Sequence, residues 1–178
     1  LVTAPIAKHI WQLAGHDYPG QTERLAELTN SSNTAMMFTA ISPQNGWRFN
    51  TLLATTHIPI NQVSKIITRE LILSKMDILL EFCQQFTDKP KLLIAGLNPH
   101  AGENGKLGQE EIECLNPAIE EWKKTHTHIK VFGPISPDAC WLSSARAWNS
   151  NPDANSPDGI LAMYHDQGLI PMKILAFD

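Results

Sequence analysis

The sequence predicts an α/β domain with a mostly parallel sheet flanked by helices. Three observations carry that expectation. Short apolar runs that read as strands alternate along the chain with longer segments of helical periodicity. The strand-like runs are apolar throughout instead of alternating with polar residues, as strands covered on both faces are. At 43% hydrophobic and 18% charged, a chain of 178 residues can bury a sizeable core.

In order, LVTAP (1–5) reads as a short buried strand stopped by Pro5, and AKHIWQLAG (7–15) as a helical turn closing at Gly15. HDYPGQ carries a Pro-Gly turn signal, and Thr22 stands as N-cap before ERLAEL. AMMFTAI (35–41) reads as a strand and SPQNG as the turn after it. RFNTLLATTH (48–57) reads as a strand ended by Pro59. The stretch 61–87 has Val63, Ile66, Ile67, Leu71, Ile78, Leu79 and Phe82 at helical spacing, which suits one or two amphipathic helices. KLLIAGL (91–97) is a compact buried strand, and NPHAGENGKLG a glycine-rich loop. QEEIECLNPAIEEWKKTH is a helix with Glu110 and Glu111 at its positive end, Lys123 and Lys124 at its negative end, and a break or kink at Pro117. IKVFG is a short strand, DACWLSSARAW a helix, NSNPDANSPDG a loop, and GILAMYH (159–165) the last clear strand. MKILAFD reads as a strand or its exit loop. Both ends look cut, so the chain is expected to be a fragment.

Composition narrows the function classes. The net charge of −4 and the lack of a Lys/Arg block argue against a nucleic-acid partner. No apolar run reaches the ~18 residues of a membrane-spanning helix. The first residues do not read as a signal peptide. Cys83, Cys114 and Cys140 are odd in number and widely spaced, which speaks against a disulfide framework or a zinc knot and for inert thiols in a cytoplasmic protein.

Three of the seven histidines stand apart. His57, His100 and His165 each lie at or just past the C-terminal end of an apolar strand. That edge of an open α/β sheet is where loops converge on ligands. Three imidazoles arriving there could form a facial metal site with positions left for water or substrate; singly, each could equally be a hydrogen-bonded loop residue. His9, His16, His126 and His128 read as surface or packing residues. The glycine-rich loop reads first as a device that aims His100 and second as an anion cradle. YPGQTE is a turn and cap that also offers Gln21, the Thr22 hydroxyl and helix amides to an anion. Lys173 is a surface residue or a cation for a phosphate or carboxylate.

The stretches PIAKHIWQLAGHDYPGQTE, TTHIP, LNPHAGENGKLGQEE, GPISPD and LAMYHDQGLIPMK together resemble the 4-hydroxythreonine-4-phosphate dehydrogenases of pyridoxal phosphate biosynthesis, in the family's order and over essentially the whole chain. The resemblance implies a fold like that of the isocitrate and isopropylmalate dehydrogenases. It implies NAD(P)-dependent oxidation of 4-phosphooxy-L-threonine and decarboxylation to 3-amino-2-oxopropyl phosphate. It also implies a homodimer with a divalent metal: zinc, cobalt or magnesium. The family's metal ligands match His57, His100 and His165, the last supplied across the dimer interface. Its substrate contacts match Gln21, Thr22 and Lys173, and Asp138 falls at a position near the substrate. Asp166 is a catalytic candidate beside His165, orienting an imidazole or touching substrate. Many members carry histidine where this chain has Gln21, and glutamine cannot carry a proton at neutral pH. No dinucleotide fingerprint is present, so no cofactor-binding residue is assigned.

On this reading residues 1–178 are the central part of a two-domain α/β dehydrogenase without the family's N- and C-terminal portions, and internal boundaries are expected near 20–50 and 165–178. Two alternatives stay open: a related metal-dependent enzyme or phosphate acyltransferase acting on another phosphorylated compound, and an inactive truncated binding fragment.

Overall fold

In a computed structural model, which describes residues 5–18, 20–31 and 33–176, the chain separates into two units, Leu1–Thr34 and Ala35–Asp178. The first unit holds α1 (Lys8–Leu13) and α2 (Gln21–Leu28). The strand expected at residues 1–5 falls almost wholly outside the described residues. Thr22 is not the cap of α2: Gly20 is the N-cap residue, no side chain caps the helix, and Thr22 sits inside its first turn. Arg24 ties this unit together locally, donating to the Tyr18 hydroxyl and to Glu27, each at 3.0 Å.

The second unit contains strands β1 (Met36–Ile41), β2 (Arg48–Leu53), β3 (Lys91–Ala95), β4 (Lys130–Ile135) and β5 (Gly159–Ala162), joined in one sheet in the order β1-β2-β5-β3-β4. β1 and β2 form an antiparallel pair with Met36 opposite Leu53 and Ile41 opposite Arg48. The β2–β5, β5–β3 and β3–β4 pairings are all parallel. The mostly parallel sheet predicted from the apolar runs is therefore present, with one antiparallel edge strand.

Strand side chains alternate between two cores, which explains why the runs are apolar throughout. Leu52, Leu92, Ile94, Leu161 and Met163 face Ile72, Met76 and Leu79 of α4 (Arg69–Cys83) and Ile119 and Trp122 of α5 (Asn116–Thr125). Phe49, Leu93, Ala95 and Ile160 face the other way, toward Trp148 of α6 (Leu142–Asn149) and Met172 of α7 (His165–Ala176). Gly168 lets α7 lie close on the sheet: a Cβ there would stand 2.5 Å from a Leu53 methyl and 3.0 Å from Thr51 Cγ2.

The amphipathic stretch 61–87 resolves into two helices, α3 (Ile60–Ile66) and α4. Ile67 is extended, and the Thr68 hydroxyl accepts from the Leu71 N–H to start α4, a cap worth about 1 kcal/mol. The break expected at Pro117 is present: a π-helical turn at Glu111–Leu115 gives way to α5 at Asn116, and Pro117 lies in the first turn of α5, where its missing N–H is tolerated. β2 ends at Leu53, four residues short of His57. The closing stretch MKILAFD is not a strand: described residues up to Ala176 continue α7, which starts at His165.

The glycine-rich loop is not irregular. Five successive residues are left-handed, with φ of 52° at His100, 50° at Ala101, 79° at Gly102, 43° at Glu103 and 55° at Asn104. At ~1–2 kcal/mol for each non-glycine residue, this run costs on the order of 4–8 kcal/mol unless neighbours hold it. Cys83, Cys114 and Cys140 are free thiols. Burial pushes Cys83 and Cys140 up to about 12, so both are inert at neutral pH, as the sequence reading holds.

Candidate functional site

Parallel neighbours β2, β5 and β3 all end at the same edge of the sheet. Each then releases a histidine: His57 from the loop after β2, His165 as the first residue of α7, and His100 from the left-handed turn after β3. His57 and His165 are side by side, with ring centroids 5.4 Å apart. They line a cavity of about 310 Å³ with Thr56, Ile58, Tyr164 and Asp166. His100 lines a second cavity of about 330 Å³ with Pro99, Pro137, Asp138 and Tyr164. Tyr164 is a wall of both.

Two carboxylates address these imidazoles. Asp166 lies 2.7 Å from Nδ1 of His165. An ionised carboxylate only accepts, so the proton sits on Nδ1 and the Nε2 lone pair is left for a ligand. Asp138 accepts from the Ser136 hydroxyl. That bond first, and the backbone N–H of Asp138 next, hold its carboxyl below the usual carboxylate range.

Buried polar side chains tie the strand ends to one another. The Thr55 hydroxyl and backbone N–H both donate to the Met163 carbonyl, at 2.7 and 3.2 Å. Gln167, 6% exposed, accepts from the Met163 N–H at 2.6 Å and donates to the Gly96 carbonyl at 2.8 Å. The Gly96 N–H in turn donates to the Ile135 carbonyl at 2.7 Å. The chain of bonds therefore crosses from the His57 strand to the His165 strand, the His100 strand and the Asp138 strand in sequence. The sequence reading missed Thr55, Gln167 and Tyr164. Gln167 was legible only as part of HDQG, because nothing in a lone sequence says that a glutamine turns inward.

The other expected site residues fall in both units. Gln21 and Thr22 open α2 of the first unit, both half-buried. Lys173 is exposed in the last turn of α7, about 12 Å along the helix axis from His165 at 1.5 Å per residue. Imidazole donors, one of them backed by a carboxylate, suit zinc or cobalt better than magnesium. Yet among the described residues no group of three or more His, Cys, Asp or Glu side chains is arranged to hold a metal ion. One chain brings His57 and His165 together and leaves His100 in the neighbouring cavity.

Comparison with known proteins places the whole chain. The family model described as "Pyridoxal phosphate biosynthetic protein PdxA" matches residues 1–178. A 4-hydroxythreonine-4-phosphate dehydrogenase of Synechococcus sp. (strain RCC307) is 54% identical over 179 residues, covering 100% of this chain and 55% of that protein. A D-threonate 4-phosphate dehydrogenase of Pectobacterium atrosepticum is 36% identical, covering 99% of this chain and 50% of the relative. The crystal structure of 4-hydroxythreonine-4-phosphate dehydrogenase from Klebsiella pneumoniae matches with a TM-score of 0.81 at 34% identity, over 98% of this chain and 49% of that one. The chain spans about half the length of the curated relatives it matches.

Proposed function

Because the chain belongs to the pyridoxal phosphate biosynthetic protein PdxA family, we propose that the protein it represents is a 4-hydroxythreonine-4-phosphate dehydrogenase. It oxidises the C3 hydroxyl of 4-phosphooxy-L-threonine, passing hydride to NAD or NADP and releasing a proton. The resulting β-keto acid loses carbon dioxide to give 3-amino-2-oxopropyl phosphate. The observation that carries this reading is the delivery of three imidazoles to one edge of the sheet by the ends of β2, β5 and β3.

A divalent metal, zinc or cobalt by donor chemistry and magnesium as the third option, would be held by His57 and His100 with His165 of the partner subunit in a homodimer. The support for a second copy is that no one cavity of a single chain is lined by all three imidazoles, although the chain's own His165 lies beside its His57. When bound, the metal supplies Lewis-acid polarisation of the substrate hydroxyl and carbonyl oxygens. The chain's own residues do the rest. Asp166 fixes the His165 tautomer, Asp138, on the wall of the His100 cavity, lies near the substrate, and Gln21, Thr22 and Lys173 take the phosphate and carboxylate groups. We assign the protein to the cytoplasm, with no nucleic-acid or membrane partner; among the described residues no helix is long and apolar enough to cross a membrane.

The full-length protein is expected to form NAD(P)H and carbon dioxide from 4-phosphooxy-L-threonine with metal present, and to stop when the metal is chelated. Absence of NAD(P)H formation with every metal tried would sink the assignment. The Pectobacterium relative's name motivates a second reading, in which another 4-phosphorylated hydroxy acid such as D-threonate 4-phosphate is the substrate. A higher kcat/KM on that compound would select it.

Asp166→Asn tests the tautomer argument. Asparagine keeps the shape but loses the charge that holds the Nδ1 proton. Metal affinity in a calorimetric titration is expected to fall about 10–100-fold. An unchanged affinity would remove Asp166 from that role.

A further inference from the structure

The left-handed turn that presents His100 needs something to hold it, and one side chain lies beneath it. Glu111 is a carboxylate with 1% exposure, not the solvated helix-end charge its sequence position implies. Its Oε1 accepts from the backbone N–H groups of Leu97 and Asn98, at 2.7 and 2.8 Å. Its Oε2 accepts from the Asn98 side-chain amide at 2.8 Å. Those residues are the entry to the turn. The carboxylate also touches the turn's midpoint: a Cβ on Gly102 would lie 2.8 Å from Oε2, so only glycine fits there, at a φ of +79°. At its ends the turn is tied by Ala101 N–H to the Asn98 carbonyl at 3.0 Å, Leu107 N–H to the Gly102 carbonyl at 3.1 Å and Lys106 N–H to the Glu103 carbonyl at 3.3 Å.

We propose that Glu111 is the positioning residue for His100: a buried carboxylate that locks the Leu97–Asn98 entry and the Gly102 midpoint, and so keeps five residues in a hand they would otherwise leave. A carboxylate suits this task because it offers acceptors alone, and two backbone donors and one amide donor converge on it. Without it the N–H groups of Leu97 and Asn98 lose the partner they have here. The turn then relaxes toward the right-handed region, and His100 leaves the edge where β2 and β5 deliver His57 and His165. The proposal rests on the reading of His100 as a metal ligand, and the experiment separates the two.

In the full-length protein, cobalt(II) affinity is read from the ligand-field spectrum, and amide hydrogen exchange is read over residues 97–108. Glu111→Ala is expected to weaken cobalt binding about tenfold or more, within the range for groups that orient a ligand, and to speed exchange in 97–108 selectively. Glu111→Gln, whose carbonyl oxygen can still accept from the Leu97 and Asn98 N–H groups but whose NH2 then faces the Asn98 amide, is expected to recover part of both. Met76→Ala, a cavity in the core beneath α4, destabilises the protein as a whole and should leave the cobalt spectrum and the pattern of exchange in 97–108 unchanged. His100→Ala serves as the ligand control. If His100→Ala loses cobalt and Glu111→Ala does not, the positioning role is overturned. If Glu111→Ala leaves exchange in 97–108 as in the wild type, the lock itself is overturned. If His100→Ala binds cobalt normally, the metal reading of His100 fails, while the exchange result still decides whether Glu111 holds the turn.

Discussion

Alanine in place of His57, His100 or His165 is expected to lower kcat/KM of the full-length enzyme roughly 10³-fold, the equivalent of losing about 4 kcal/mol of transition-state stabilisation from a displaced metal. Each substitution removes one of the three imidazoles that the ends of β2, β3 and β5 deliver. The loss should appear in metal content as well as in rate, and none of the three residues lies in the buried core, so unfolding curves should barely move. The same variants decide whether the site is shared. With His165 supplied in trans, a heterodimer of His57→Ala and His165→Ala protomers has one doubly damaged site and one intact site. Random reassembly of two inactive proteins should then recover about a quarter of wild-type activity. No recovery would mean that each site is built within a single chain.

Gln167→Leu is expected to be the most destabilising single change near the site. The amide bridges the Met163 N–H and the Gly96 carbonyl, both buried. Leucine fills the space and leaves both groups unpaired, at roughly 1–3 kcal/mol each, hence about 2–6 kcal/mol in total. Gln167→Glu keeps the acceptor for Met163 but sets an oxygen against the Gly96 carbonyl, so it should lose stability too. Denaturant midpoints of the two variants measure this. A Gln167→Leu midpoint equal to the wild type would show that the bridge contributes nothing.

Much of the architecture was legible because periodicity reports burial. KLLIAGL, IKVFG and GILAMYH became β3, β4 and β5 since apolar residues on both faces leave few other options. Ends were less legible. RFNTLLATTH continued past the true end of β2 because the threonines favour strand while Thr55 is used for a bond to Met163. MKILAFD read as a strand or its exit loop because its apolar run is too short to show a helical period, while in the structure it continues α7 as far as Ala176. The histidines stood out as a group since all three follow strands. Glu111 was misread, as a helix-end charge, because a pair of glutamates at a helix start has an ordinary explanation and burial is a tertiary fact.

The order β1-β2-β5-β3-β4 also bears on how the protein is made. The ribosome delivers β5 after the other four strands, yet it occupies the middle of the sheet. The β1–β2 pair can close on neighbouring sequence, and β3 can meet β4 through a single crossover. Neither half can join the other until residues 159–162 emerge and pair with both, a long-range closure of the kind that slows folding. His165 and Gln167 follow directly. The adjacency of His57 and His165 and the bridge to Gly96 thus arise in the same event that completes the sheet, so a nascent chain lacking β5 holds His57 and His100 but neither the third imidazole nor the bond that links their strands.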